Sequence, residues 1–305
     1  MFEGEHASLN AIHAAVPSLA PQAFAWGKLD NGKANPGSYF LATEFLELGG
    51  RSSSSSSSVT KTRSHAKGKD GSGLSLAQKL ARLHSTPAPV PQGYDGVPQF
   101  GFPVTTCCGD TPQENGFRAS WAEFFAEQRL LMILQRGEAN NGKDPELRKV
   151  VERAARDVVP RLLGDGHLGG EKGISPVVVH GDLWAGNHGK GRFVGRARRE
   201  DEDEDQGGEE SGDVVEEVVF DPSACYAHNE YEFGIMRMFG GFGGKFWSEY
   251  HDMVPKTEPV DEYEDRLSLY ESYHHLNHWA IFGGGYRSGA MGILKRLIAK
   301  YGGSS

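Results

Sequence analysis

The spacing of apolar and polar residues divides the chain into a short β-rich opening and a long helical remainder. Ala7, Leu9, Ile12 and Ala15 recur at helical spacing and predict a helix over 5–15, which Pro17 stops. Two strands are predicted next, Phe24–Trp26 and the longer apolar run Tyr39–Leu46. Asp30-Asn31-Gly32-Lys33 between them is a turn signal, so the pair is expected to form a hairpin. Pattern is lost over 49–73, where Ser52–Ser58 is an unbroken serine tract among Gly, Lys and Thr. That composition predicts a solvated linker or inserted loop, ahead of a phosphorylated tract. Helical spacing returns from Leu74, with Leu76, Leu80 and Leu83 on one face and His84 with the prolines after it at the end. Residues 87–116 are rich in Pro and Gly and are expected to be irregular. Trp121, Phe124, Phe125, Leu130, Leu131 and Leu134 predict another helix.

Asp144-Pro145 opens the next helix, with Asp as N-cap and Pro in the first turn. Its apolar face is Leu147, Val150, Val151, Ala154 and Val158. Val177–Val179 and Val218–Phe220 are short buried strands. Between them, Arg192, Arg196, Arg198 and Arg199 precede the acidic run Glu200–Asp205, and like charges at that density favour an extended loop over 189–216. A partner-binding role for that run is the lesser reading. From Glu230 on, the chain is mostly helical and rich in aromatics. The order gives an α+β arrangement of unequal parts: a β-rich segment 1–48, a low-complexity segment 49–73, and a helical body 74–305 that contains the charged insertion 189–216.

Composition narrows the class. At 305 residues with 38% hydrophobic and 24% charged residues, a sizeable core is within reach. A formal net charge of -9 disfavours a nucleic-acid binder. Cys107, Cys108 and Cys225 form no C-x-x-C motif and no disulfide framework, so reduced thiols are expected rather than a zinc site. No apolar run reaches the length of a membrane span, and Met1–Glu5 is acidic where a signal peptide would be basic and then apolar. A cytoplasmic monomer with no membrane partner is expected.

The strongest chemical signal is His180-Gly181-Asp182-Leu183-Trp184-Ala185-Gly186-Asn187, directly after a predicted strand, with Phe220-Asp221-Pro222 at the end of another. Phosphoryl transfer needs one carboxylate to orient the attacking hydroxyl and accept its proton, and further oxygen ligands for Mg2+ on the ATP phosphates. An Asp followed five residues later by an Asn has the spacing of a kinase catalytic loop. Asp182 is therefore the candidate base, Asn187 and Asp221 the candidate Mg2+ ligands, and His180 a brace for the loop. The bland alternative, two unrelated turns that contain Asp, does not account for the eight-residue run together with the later Asp.

That run resembles the H-G-D-L-W-x-G-N signature of the fructosamine and ribulosamine 3-kinases, relatives of the aminoglycoside phosphotransferases and choline kinases. Further similarity lies in Met1–Glu5 with Ser8-Leu9, Phe100-Gly101-Phe102, Thr105–Gly109 with Gln113 and Asn115, and Trp121 with Phe124-Phe125 and Arg129-Leu130. It continues in Asp221-Pro222-Ser223 with Tyr226, His228 and Glu230, in Met238–Phe242, and in Tyr273 with Leu276–Trp279 and Tyr286–Ser288. The resemblance implies a two-lobed, protein-kinase-like fold with a small β-rich N-lobe and a large helical C-lobe. It implies ATP- and Mg2+-dependent phosphorylation of the 3-hydroxyl of ketosamines, ribulosamine or fructosamine, on glycated proteins or small molecules. It places the adenine hinge at Glu44, Phe45 and Leu46, and makes Glu5, or alternatively Glu3, the glutamate that pairs with the phosphate-binding lysine. Trp184, Phe242, Trp279 and Tyr286 form either an aromatic wall around the sugar or plain core. Gln113 and Asn115 are expected to bond within their loop, and His228 and Glu230 to brace the turn after Asp221. The family's glycine-rich loop and its lysine strand have no counterpart ahead of the first helix, so the N-lobe is expected to be truncated. A longer true chain is the first explanation; a catalytically impaired binding protein, or a kinase of the same fold acting on another hydroxyl, are the alternatives.

Overall fold

A computed structural model describes residues 1–29, 37–49, 73–196 and 215–303. The opening holds α1 (Phe2–Ala15), β1 (Ala23–Lys28), β2 (Tyr39–Thr43) and β3 (Leu46–Leu48). There follow α2 (Leu76–Ser85), β4 (Thr106–Cys108), β5 (Thr111–Gln113), α3 (Trp121–Phe125), α4 (Met132–Asn141), α5 (Pro145–Arg153) and α6 (Val159–Leu163). The site region is built from β6 (Val177–Val179), β7 (His188–Phe193), β8 (Glu216–Val219) and β9 (Cys225–Ala227). The chain closes with α7 (Phe233–Phe239), α8 (Gly244–Met253), α9 (Tyr263–Phe282) and α10 (Tyr286–Tyr301). The result is a mixed, helix-rich fold with small antiparallel sheets: β1-β2, β3-β7-β8, β4-β5 and β6-β9.

Local chemistry explains several boundaries. Ser75 caps α2 in a reciprocal capping box with Gln78, so that helix starts at Leu76. Asp144 caps α5 through the Leu147 N–H at 3.0 Å, with Pro145 at the first position. The core runs from α1 (Leu9, Ile12) through α2 (Leu80, Leu83) to Trp121, Phe124 and Phe125 and the buried face of α9. Trp121 donates its indole N–H to the Tyr270 hydroxyl at 2.9 Å, which satisfies a fully buried polar atom.

Four expectations are corrected. The first helix begins at Phe2, a turn earlier than its apolar face indicates. The predicted strand Tyr39–Leu46 is two strands: it breaks at Glu44-Phe45 and re-enters a different sheet as β3. The irregular stretch 87–116 contains the β4-β5 hairpin. The stretch 189–216 is not wholly loop, because residues up to Phe193 belong to β7 and Glu216 starts β8. β1 and β2 pair as expected, while the turn signal Asp30–Lys33 and the serine tract lie outside the described residues. All three cysteines are free.

Candidate active site

Two antiparallel ladders assemble the site. β6 pairs with β9, setting Val179 opposite Cys225, and β7 pairs with β8, setting His188 opposite Val219. The loop 180–187 runs from β6 to β7, so it faces the turn 220–224, which runs from β8 to β9. Two backbone bonds close the arrangement, Ser223 N–H to His180 C=O at 2.8 Å and Phe220 N–H to Asn187 C=O at 3.1 Å. Gly181 is required at the crossing: its φ is +81° and a Cβ would lie 2.1 Å from the Ser223 oxygen. Asp221 itself takes a left-handed φ of 58°, which re-aims the chain directly after β8.

His180 is buried and its protonation is fixed by its partners. Nδ1 accepts the Asp182 N–H at 3.3 Å, so Nε2 carries the proton and donates to the Phe220 carbonyl at 3.0 Å. Burial pushes its pKa down, which favours that neutral form. Asp182 is half-buried. Asn187 donates from Nδ2 to the Asp182 carbonyl at 2.9 Å and more weakly to Oδ2 at 3.4 Å. Burial first, and then the charge of Asp221, push the Asp182 carboxyl up to about 7. The Cys108 thiol lies 3.8 Å from Oδ1.

Asp221 is exposed, and its carboxylate has no hydrogen bond or ion pair among the described residues. It lines a cavity of ≈ 240 Å³ with Met1, Glu5, Cys107, Gly109, Asp110 and Pro222. Burial, then the Asp221 charge, hold the Glu5 carboxyl above its ordinary value. Of the two candidate glutamates, Glu5 lines this cavity and Glu3 does not; Glu5 has no ion-pair partner among the described residues. Asn187 turns its amide nitrogen inward, and its Oδ1 has no hydrogen-bond partner among the described residues. Among the described residues no three His, Cys, Asp or Glu gather closely enough to hold a metal. One exposed carboxylate and a free amide oxygen suit Mg2+, which is held through one or two carboxylates plus phosphate oxygens and water.

Glu44, Phe45 and Leu46 lie where the chain leaves one sheet for another, apart from that cavity. Glu44 accepts from the Gln22 N–H at 2.7 Å and is paired with Arg196. Burial pushes its pKa up, but the bonds from Arg196 and Gln22 outweigh that and hold it low. Phe45 is exposed, and its carbonyl accepts the Val194 N–H at 3.0 Å. Leu46 pairs with Phe193, so the segment adjoins the strand that follows Asn187.

The structure adds a residue the sequence reading missed. Glu232, fully buried before α7, accepts from the backbone N–H groups of His180 at 2.5 Å and Gly181 at 2.9 Å. Its signal is an acid inside the apolar run Tyr231–Met236, where a carboxylate needs donors to be tolerated. Other expectations resolve by contact. Gln113 bonds to Tyr273 and Ser223, both at 2.6 Å, and so ties β5 to the 220–224 turn instead of bonding only within its loop. Asn115 bonds inside its loop, to Thr106, and to Arg129. Glu230 pairs with buried Arg266 at 2.7 Å, and His228 bonds to Tyr270 and Thr257, so both secure α9. Trp279 packs into the core against Gly137, where a Cβ would meet the ring at 2.1 Å. Trp184 instead is exposed, resting on Gly186 and against Phe239.

The family model described as fructosamine kinase matches residues 1–300, and the chain belongs to that family. The ketosamine-3-kinase of Mus musculus is 33% identical over 297 residues, 97% of this chain and 83% of that protein. The protein-ribulosamine 3-kinase, chloroplastic, of Oryza sativa subsp. japonica is 33% identical over 295 residues, 96% of this chain and 68% of that protein. A crystal structure from Thermobifida fusca, of a protein assigned as a fructosamine-3-kinase, superposes with a TM-score of 0.65 at 21% identity and covers 98% of this chain and 80% of that one; at that identity it speaks to the fold alone.

Proposed function

We propose that this protein is an ATP-dependent kinase that phosphorylates the 3-hydroxyl of ketosamines, ribulosamine or fructosamine, carried on glycated proteins. The observation that carries this reading is the convergence of Asp182, Asn187 and Asp221 on one loop-and-turn pair, in a chain of the fructosamine kinase family. In this reading α1, β1 and β2 belong to a small lobe, residues 44–46 form the hinge to a large helical lobe, and Glu5 lies on the phosphate side. The sugar 3-hydroxyl is held at Asp182, which takes its proton as the oxygen attacks the γ-phosphorus and ADP leaves. A carboxylate held near pH 7 suits that exchange, since a base works best with a pKa near the operating pH. Asn187 Oδ1 and Asp221 would hold Mg2+, which neutralises charge on the phosphates. Glu232 and His180 keep Asp182 in place, and Trp184, Phe242 and Tyr286 remain the aromatic candidates beside the sugar.

The test is transfer of phosphate from ATP to a ribulosyl-lysine peptide, read as added mass. Asp182→Asn is expected to lower the rate by about 10²–10⁴-fold while leaving the fold intact. A folded wild-type protein that transfers no phosphate to ribulosyl- or fructosyl-lysine would refute the reading.

A further inference from the structure

An exposed path of rings leaves the candidate active site at Trp184. The Trp184 ring meets Phe239, the last residue of α7, at 5.6 Å; Phe239 meets His278 of α9 at 5.2 Å; and His278 meets Phe282, the last residue of α9, at 5.8 Å. Tyr286 flanks the far end, 5.1 Å from His278. Three of these rings are open to solvent: Trp184 is 38%, Phe239 42% and Phe282 68% exposed. Stability does not explain them. Two helices end side by side, each leaving a phenylalanine at its last turn with bare glycines beyond, Gly240-Gly241 and Gly283–Gly285. At Gly240, Gly284 and Gly285 a Cβ would meet nothing, so the ground beside the rings is open.

We propose that this path is the docking surface for the polypeptide that carries the ketosamine, on either side of the modified lysine. The inference rests on the kinase reading above. Exposed large apolar rings gathered around one half-buried imidazole mark a contact site, and continuity with the loop that bears Asp182 selects the occupant. Whatever delivers a sugar on a lysine to Asp182 brings its own backbone alongside Trp184. The path from Trp184 to Phe282 takes three ring-to-ring steps of under 6 Å, at most the length of about five residues of extended chain. It therefore fits a short extended segment with apolar side chains within about five positions of the lysine, and gives a protein-bound ketosamine an advantage over the free adduct.

The experiment compares kcat/KM for ribulosyl-Nα-acetyl-lysine and for the same adduct at the centre of an eleven-residue peptide with leucines among its flanking residues. Wild type is expected to favour the peptide about tenfold. Phe282→Ser changes an exposed residue, and is expected to cut the peptide value at least five times more than the single-residue value. Fluorescence anisotropy of the labelled peptide reads the same surface without turnover, and the variant should weaken that binding about fivefold. Equal kcat/KM for the two substrates in wild type, or equal loss on both in the variant, would overturn the docking surface while leaving the kinase reading intact. So would a concentration-dependent dimer that Phe282→Ser dissolves, since a second copy would then be the occupant. Failure of wild type on both substrates would overturn the kinase reading, and this inference with it.

Discussion

Folding takes water away from the Asp182 carboxyl and sets the Asp221 charge beside it, and both favour the protonated acid. The group ordinarily titrates at 3.8 and is held at about 7 in the folded chain. Between those values the native state binds more protons at this position than the unfolded chain does. Stability therefore falls as pH rises through that window, and the whole penalty is present above pH 7. Asp182→Asn removes the ionisation, so the variant is expected to be more stable than wild type at pH 8, by ~1–3 kcal/mol, with the gap narrowing at pH 5. Urea unfolding at the two pH values checks this, and a gap independent of pH would show that Asp182 is not held protonated. The opposition of stability and chemistry at one carboxyl is common where a group is placed for catalysis. Asp182 stands out in the sequence as a candidate because its neighbours are contiguous: His180 and Asn187 lie within the same short run. Glu232 does not, because its donors are backbone N–H groups that carry no residue identity.

Between β2 and β3 the sequence has no glycine, proline or asparagine to mark a turn, and apolar residues flank Thr43-Glu44 on both sides, so Tyr39–Leu46 reads as one strand. The break comes from tertiary partners. The Glu44 carboxylate is taken by Arg196 and by the Gln22 N–H, and the Phe45 carbonyl by Val194. Arg196 also donates to the Pro17 carbonyl at 2.8 Å and stacks on Phe193 with its carbon 3.8 Å from the ring centre. In the sequence it is one arginine in a charged stretch, and nothing there connects it to residue 44. One side chain thus fastens the start of the loop after α1, the turn between the two sheets and the end of β7. If residues 44–46 hold the adenine, Arg196→Ala loosens the segment without touching Asp182. The expected result is a rise of about fivefold in the KM for ATP, ~1 kcal/mol, with a smaller change in kcat. Initial rates over a range of ATP concentrations measure this, and a fall in kcat alone would place the hinge elsewhere.

Over the whole molecule, the helical body was legible from apolar spacing and caps, as at Ser75 and Asp144, and the joints between its parts were not. Lys79 shows why. By spacing it lies beside Leu76, Leu80 and Leu83 on the apolar face of α2, where a lysine is usually read as a long side chain reaching out to water. In the structure it is fully buried, and Nζ donates to the Ser18 carbonyl at 2.9 Å, the Glu217 carbonyl at 2.9 Å and Glu216 at 2.5 Å. It joins the loop after α1, helix α2 and strand β8, which runs directly to Asp221. Burial pulls its pKa down, and the Glu216 bond opposes that fall. Methionine has nearly the same length and no charge, so Lys79→Met keeps the packing and removes the donor that the Ser18 and Glu217 carbonyls and the Glu216 carboxylate share. Losing a charged donor that two buried carbonyls and a carboxylate share costs about 1–3 kcal/mol, because the Ser18 and Glu217 carbonyls are left without it. The variant should unfold at correspondingly lower denaturant, and hydrogen exchange should speed up first at 16–20 and 216–219, before α9. Even loss of protection across the chain would mean that Lys79 only fills space; selective loss at those two segments would mean that it holds the opening of the chain onto the strand that leads to Asp221.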